Sequence, residues 1–431
     1  MSSESSASPP PAGTPAAKLP GKGPAARSAP LSEVAAGREP GRASGAAALD
    51  HDEQAGLVLG VIIPCRDEAA VIGRKLRNLA AARWPFSPRP HQIVVVDDGS
   101  RDGTAELATQ LCAELFPKPG GTTRMSVPSI THTTPAGARV IRNTGRPGKA
   151  GAVRAALVEL GSTVDLLVIT DADVVLRPTS LLMLEPEFRS RPDLGMACGR
   201  QELVRDLLDD GSCRGADGRE PTFVAEPYDT WTERMRAWES RRGRLFSVHG
   251  QLLAWRERLG LCPTAGLAAD DVDLMFQVRA KGLRIELLTG ATFLEVKPLL
   301  GAARDAWRQR RAQAWLAAMR DRSTPPGAPA FDRWQLAAYR RAHLVASPAV
   351  HLLVTLLLLG GCAAIGALAW GGPGISLAGA LAGFGVGALL LALLAASPLG
   401  RGARALVTQW PVLRAARAAG ATADRWETRR G

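Results

Sequence analysis

The stretch QIVVVDDGSRDGT, Gln92 to Thr104, carries the pattern that decides the fold. QIVVV reads as a strand, the carboxylates Asp97 and Asp98 stand at its carboxyl end before a glycine turn, and Thr104 to Leu115 then takes helical spacing. Short apolar runs bounded by turn residues read as buried strands. The same unit recurs on both sides. Upstream, LVLGVIIP (Leu57 to Pro64) is a strand, and Ala69 to Arg83 places Val71, Leu76 and Leu79 at helical spacing. Downstream come ARVI (strand), GKAGAVRAALVEL (helix), DLLVIT (strand) and a helix after Pro178, with a Pro-, Thr- and Gly-rich loop insertion over Pro117 to Gly137. Regular alternation predicts an α/β fold, a mostly parallel sheet with flanking helices. Ligands of such a sheet sit beyond the carboxyl ends of its strands.

The second half is less regular. Val204 to Glu220 reads as a loop, Trp231 to Phe246 as a basic, aromatic helix, and Asp271 to Lys281 as a helix followed by two short strands, RIELL and ATFLEV. Ala303 to Met319 is a strongly basic helix, STPPGAPA a linker, and Phe331 to His343 an amphipathic segment suited to a membrane interface.

Between Arg341 and Arg401 lie 59 residues without one Asp, Glu, Lys or Arg. A membrane-spanning helix needs about 20 mainly apolar residues, so the stretch holds two, Val350 to Trp370 and Ile375 to Ala396, joined at GGPG. The net charge of +12 is concentrated beside them: nine Arg and three Asp fall between Leu300 and His343, and seven Arg, one Asp and one Glu between Gly400 and Gly431. Positive flanks mark the cytoplasmic side and suit anionic lipid. They place the large domain and the tail on the cytosolic face of a bacterial-type cytoplasmic membrane. No helix-turn-helix, zinc-finger or RNP pattern supports nucleic-acid binding. The six cysteines form no CxxC pair, which argues against a structural zinc or a disulfide framework. The expected organisation is a disordered tail over 1–55, poor in large apolar residues, a catalytic domain over 56–322, a linker and interfacial helix over 323–343, two transmembrane helices over 344–399 and a basic tail over 400–431.

Three acidic motifs and two basic elements carry the chemistry. Asp97 and Asp98 can accept hydrogen bonds from a nucleobase or ribose, or can cap the following helix with Ser100. In VITDADVVL, Asp171 and Asp173 are two residues apart, so on an extended segment both carboxylates approach one hard cation, Mg²⁺ or Mn²⁺, completed by substrate phosphates; the alternative is a turn. In LAADDVDL, Asp270 and Asp271 open a helix, either as caps or as a base that deprotonates an incoming hydroxyl. Lys149 follows a glycine loop at a helix start, where it can reach a phosphate or the base. Arg308, Arg310 and Arg311 share one helix, where they can neutralise a leaving diphosphate or meet anionic lipid.

The order of these motifs, from about Leu57 to Met319, resembles that of the family-2 glycosyltransferases of the GT-A fold. PCRDEA (Pro64 to Ala69) matches the family's Pro-x-x-Asn-Glu motif with Asp67 in place of Asn. The DDGS, GKAGA and TDAD motifs follow, then WESRRGRLFSVHGQLLAWRERL as the acceptor side and ADDVDL as the acidic motif of the base. The resemblance implies a nucleotide-sugar donor, UDP-linked in the family, with Asp97 or Asp98 on the uracil and Glu68 close by. It assigns Pro64, Arg66, Glu68, Asp97, Asp98, Lys149 and Asp171 to the nucleotide, and Asp173 with Asp171 to the metal. It makes Asp271 the catalytic base with Asp270 its neighbour, in an inverting transfer. WRQRRAQAW (Trp307 to Trp315) departs from the family's Gln-x-x-Arg-Trp motif and looks like an Arg-x-Arg variant, which leaves the acceptor-side role of Trp315 open.

A base favours a hydroxyl acceptor on a saccharide or lipid, since a lipid phosphate is already ionised. Two helices are few for a polymer channel, so single addition or short extension is expected, or membrane partner subunits if a polysaccharide is made. A nucleotidyltransferase and a non-catalytic membrane scaffold are the competing classes. The first strand lacks the Gly-rich phosphate loop of the former, and the intact DAD and DDVD motifs argue against the latter.

Overall fold

The computed structural model describes residues 56–117, 135, 137–214, 218–267, 269–297, 301–319, 324, 327–370 and 377–418. The 1–55 tail, most of the loop insertion after Pro117, three residues of the STPPGAPA linker (323, 325 and 326), the GGPG joint and the last 13 residues of the basic tail lie outside the described residues.

Eight strands form one mixed sheet in the order β3-β2-β1-β4-β7-β6-β8-β5. They are β1 (Leu59–Cys65), β2 (Gln92–Asp97), β3 (Ala138–Arg142), β4 (Leu166–Ile169), β5 (Val174–Leu176), β6 (Leu194–Val204), β7 (Leu253–Arg256) and β8 (Arg284–Val296). The first four pair in parallel, as the alternating pattern predicts, and β6 pairs in parallel with β8. Strand β7 runs antiparallel to both β4 and β6, and β5 antiparallel to β8.

The flanking helices are α1 (Ala69–Ala81), α2 (Thr104–Leu115), α3 (Lys149–Leu160), α4 (Leu184–Ser190), α5 (Pro227–Ser240) and α6 (Asp270–Ala280). Successive side chains of a strand face opposite sides, and both faces of this sheet are covered. Val61 and Ile63 of β1 pack with Ile72, Leu76 and Leu79 of α1 and Leu111 of α2. Ile62 packs on the other face with Val153 and Ala156 of α3 and Met275 and Val278 of α6.

The sheet holds three strands that the periodicity does not announce. β5 has three residues, β7 has four, and β6 carries Gly, Arg, Gln and Glu among its apolar residues. The two short strands RIELL and ATFLEV are one strand, β8, with an irregular register near Gly290. The Asp171–Asp173 motif is not extended, as the two-residue spacing had suggested, but a turn between β4 and β5.

Beyond the sheet, α7 (Ala302–Met319) and α8 (Ala330–Val345) lead to the apolar pair α9 (Pro348–Trp370) and α10 (Leu377–Ala396). Helix α8 docks onto the sheet domain. Its Gln335 and Tyr339 donate to Glu239, and the Tyr339 ring stacks on Phe246 with centroids 4.3 Å apart. Its other face leaves Trp334 exposed, beside Trp238 and Phe331. After α10 the chain forms α11 (Pro398–Val407) and α12 (Trp410–Ala418), which pack on α5 and α7.

Helices α9 and α10 are long and apolar enough to cross a membrane. Gly379, Gly383 and Gly387 recur every fourth residue on α10 and are its buried positions. A Cβ on Gly383 would stand 2.3 Å from the Cys362 carbonyl oxygen, and one on Gly366 would stand 2.5 Å from Gly383 Cα. Small residues at this spacing let helix backbones approach closely where water supplies no hydrophobic drive. The outer faces present Leu357, Leu368, Leu377 and Leu381, at least 63% exposed. Gly385, two residues on from Gly383 and so turned away from the packed face, has open space around its Cβ position. Gly383→Leu should therefore lower the unfolding temperature of the detergent-solubilised chain by an overpacking cost of about 1–3 kcal/mol, while Gly385→Leu leaves it unchanged. Equal effects would contradict this packing.

Candidate active site

The carboxyl ends of β1, β2 and β4 meet the start of α3 and the start of α6. After β1, Asp67 takes a left-handed conformation with φ 51°, which Asn and Asp tolerate best among residues with a Cβ. That accounts for Asp where the family motif has Asn. The Asp67 carboxylate accepts from Arg101 N–H at 2.8 Å, and its own N–H donates to Ser100 Oγ at 3.0 Å. Glu68 begins α1, its N–H donating to Thr104 Oγ1 at 2.8 Å, and Pro64 is buried in β1 opposite Val96. The first two motifs are thus laced together.

The DDGS carboxylates are largely engaged in shaping these loops. Asp97 accepts from the N–H groups of Gly99 (3.3 Å) and Ser100 (3.0 Å). Asp98 accepts from Asn143 Nδ2 at 2.5 Å and Gly148 N–H at 2.8 Å, with Arg66 Nη1 3.6 Å away. Both Asp97 contacts close the Asp97–Ser100 turn and neither caps the following helix, whose N-cap, Gly103, makes no side-chain capping bond. An ionised carboxylate has about four acceptor positions, so capacity for a nucleoside remains.

By holding the Gly148 N–H, Asp98 places Lys149 at the first turn of α3. Lys149 Nζ pairs with Asp171 Oδ1 at 2.7 Å. Burial opposes the ammonium charge, but Asp171, Asp270 and Asp271 together hold its pKa above the ordinary lysine value. Gly250 makes this approach possible, because a Cβ there would stand 3.0 Å from Lys149 Nζ and 3.5 Å from Asp271. The Gly250 N–H donates to Asp271 Oδ2 at 3.1 Å, and Val272 N–H to Asp271 Oδ1 at 2.8 Å.

Asp270 and Asp271 differ in access. Asp270 is buried, its Oδ2 finds no hydrogen-bond partner, and burial pushes its pKa up to about 6 despite Lys149. Asp271 is only half-buried, and burial raises its pKa while Lys149 opposes the rise. Asp271 is the one of the pair that an incoming group can reach. In the β4–β5 turn, Asp171 and Asp173 are half-buried on either side of the buried Ala172, so the turn keeps both carboxylates off the core.

Two arginines of α7 have contacts with other groups. Arg311 reaches Glu295 at 3.4 Å and stacks over Trp307, and Arg308 lies within electrostatic range of Glu226 and Tyr228 of α5. Arg310 belongs to the same helix. Trp315 packs half-buried against the core. The structure brings Lys149, Asp171, Asp270 and Asp271 together, whereas the contacts described for Arg308, Arg311 and Trp315 are with other groups.

Two residues below the metal motif escaped the sequence reading because they sit on the apolar face of α1. Lys75 is fully buried, its Nζ donating to Thr170 Oγ1 at 2.6 Å and to the Val174 carbonyl at 3.2 Å, on either side of the Asp171–Asp173 turn. Asn78 exchanges hydrogen bonds with both backbone groups of Leu176 at 2.9 and 2.8 Å. A polar residue inside a helical apolar stripe was the available signal.

Burial lowers the Lys75 pKa to about 7, despite the attraction of Asp171 and Asp173. The unfolded chain keeps this proton up to about pH 10.4, so it binds more protons than the folded chain above pH 7. Stability rises with pH wherever that holds. Denaturant unfolding should show wild-type stability climbing from pH 7 to 9.5 more steeply than that of Lys75→Met. Parallel curves would contradict a neutral buried lysine.

Residues 60–205 match the family "Glycosyl transferase family 2". No curated protein matches the chain. Among solved structures, the mannosyltransferase PcManGT from Pyrobaculum calidifontis, in complex with GDP-Man and Mn²⁺, is similar at 26% identity with a TM-score of 0.52, over 85% of this chain and 88% of that one. S. aureus TarS 1-349 in complex with UDP-GlcNAc aligns at 14% identity with a TM-score of 0.42, over 84% of this chain and 93% of that one. The chain is a glycosyltransferase on a GT-A-like sheet, and the match to family 2 covers its residues 60–205.

Proposed function

We propose that the chain moves a sugar from a nucleotide-sugar donor to a hydroxyl of a saccharide or lipid acceptor, with inversion, at the cytosolic face of a membrane. The observation that carries this reading is the convergence of Asp171, Asp270 and Asp271 on Lys149 at the carboxyl edge of the sheet. Metal-bearing and base-bearing segments distant in sequence meet there.

The donor set fits a hard divalent cation. Asp171 and Asp173 offer only carboxylate oxygens, and among the described residues no group of three or more His, Cys, Asp or Glu is arranged to hold a metal. Mg²⁺ and Mn²⁺ are held in this way, by one or two carboxylates plus substrate phosphates. In this reading Asp173 is the principal ligand, with Asp171, one oxygen of which pairs with Lys149, nearby. The ion would supply positive charge against the leaving diphosphate. A Mn²⁺-bound mannosyltransferase among the similar structures supports the choice.

Asp271 accepts the proton of the acceptor hydroxyl as its oxygen forms the bond to the anomeric carbon. The bond from that carbon to the diphosphate breaks on the opposite side, and the diphosphate leaves with the electron pair. Lys149 holds Asp171 and offsets the negative charge around the base. Asp97, Asp98, Arg66 and Glu68 border the space for the nucleoside.

The apolar pair α9 and α10 anchors this site in the membrane. Leucines left exposed along both helices suit lipid contact, and the basic flanks orient the domain toward the cytosol.

Asp271→Asn should reduce transfer by a factor of roughly 10²–10⁴, the usual worth of a general base. It should leave nucleotide binding close to wild type. Measured by product formation and calorimetry side by side, equal loss of both would contradict the base assignment.

A further inference from the structure

One cleft lies outside the site built above. It is lined by Arg200 and Gln201 of β6, by Asp229, Glu233 and Arg236 of α5, and by His249, and it encloses about 430 Å³ of space that includes open solvent. Most of its charges are matched. Arg200 Nε pairs with Glu233 at 2.7 Å, and Asp229 pairs with Lys297. Gln201 donates to the buried carboxylate of Glu295.

Two groups are not matched. Arg236 donates to the Ser247 carbonyl at 3.0 Å and to Ser247 Oγ at 3.3 Å, and no carboxylate among the described residues pairs with it. His249 is 5% exposed, and its Nε2 has no hydrogen-bond partner. The ring is fixed in place, its backbone N–H donating to Cys198 Sγ at 3.0 Å and its edge set against Phe293 at 5.7 Å. Burial, with Arg236 and Arg311 adding to the effect, holds the imidazole pKa well below its ordinary value. The ring is neutral, and one tautomer points an N–H donor from Nε2.

A half-buried guanidinium without a counter-charge is costly, and so is a buried nitrogen without a partner. One oxyanion with several acceptor oxygens would relieve both. We propose that this cleft binds a phosphate-type anion, held by the Arg236 guanidinium and the Nε2 of His249. His249 directly precedes Gly250, whose N–H donates to Asp271 at 3.1 Å, so the cleft and the base are tied to one backbone segment. Resting on the acceptor side proposed above, the anion belongs to the acceptor: a phosphate group anchors the molecule whose hydroxyl reaches Asp271. The carrier is a lipid with a phosphate headgroup or a soluble phosphorylated saccharide.

The test uses the full chain in phosphatidylcholine nanodiscs, titrated with inorganic phosphate by calorimetry in the presence of Mg²⁺ and of GDP or UDP, whichever binds. Wild type should bind phosphate. Arg236→Gln should weaken that binding at least tenfold, and His249→Phe, which keeps an aromatic ring without Nε2, several-fold. Nucleotide binding should stay at wild-type strength in both, which also reports that they are folded. Phosphate affinity unchanged in either folded variant, or no phosphate binding in wild type, overturns the proposal. Displacement of phosphate by phytanyl phosphate placed in the nanodisc identifies a lipid carrier. Displacement by soluble glucose 1-phosphate alone identifies a saccharide, and both results support the site. Failure of wild type to bind any nucleotide strikes the transferase reading separately, because comparing the variants for phosphate still reads the cleft.

Discussion

A single ammonium group, Lys149 Nζ, holds together the edge of the sheet where the chemistry sits. Without it the carboxylates of Asp171, Asp270 and Asp271 would repel one another in a partly desolvated space, and one or more would have to take up a proton. With it, Asp171 is paired at 2.7 Å and the α6 carboxylates face a positive charge. The position of Lys149 is itself set from behind. Asp98 at the end of β2 holds the Gly148 N–H at 2.8 Å and Asn143 at 2.5 Å, fixing the turn that launches α3. Gly250 leaves room for the ammonium to arrive. The order of dependence runs from the DDGS turn, through the α3 start, to the Asp171 turn and the α6 start.

That dependence shows what was legible in the sequence. Strands β1 to β4 and helices α1 to α3 could be read because each is a local apolar run closed by its own turn residues. The parallel core of the sheet followed from their alternation. Strand β5 could not be read, since three residues carry no period, nor could β7, whose four residues LAWR are not a continuous apolar run, and β6 mixes Gly and charged residues into an eleven-residue strand whose partners lie far along the chain. The candidate residues were legible as types, and the meeting of Lys149 with Asp171 and Asp271 was not. Lys75, marked only by its place in an apolar stripe, and His249 were missed for a related reason: their significance is burial, and burial belongs to the fold. The Asp171–Asp173 spacing was read as an extended segment, whereas the chain reverses there, and the buried Ala172 between two half-buried carboxylates is what keeps both off the core.

The same framework ties the site to the apolar helices. Helix α8, expected as an interfacial segment, is bonded into the domain through Gln335 and Tyr339 on Glu239, which also accepts the Phe246 N–H at 3.0 Å. The Phe246 ring under Tyr339 opens the segment that ends at His249 and Gly250. Helices α11 and α12 return along α5 and α7, and Trp231 of α5 fills the space that Gly402 leaves open. The segment that positions Asp271 is therefore braced by the helix that leads into the apolar pair.

The central claim is that the Asp171–Asp173 turn, backed by Lys149, binds a metal–nucleotide complex. Equilibrium binding of GDP and of UDP to the full chain, with Mn²⁺ and then with excess chelator, tests it most directly when wild type is compared with Asp173→Asn. The account predicts that at least one nucleotide binds, that chelation weakens it at least tenfold, and that Asp173→Asn removes the metal-dependent part. Binding equally strong with Mn²⁺ and with chelator, in wild type and variant alike, would contradict it.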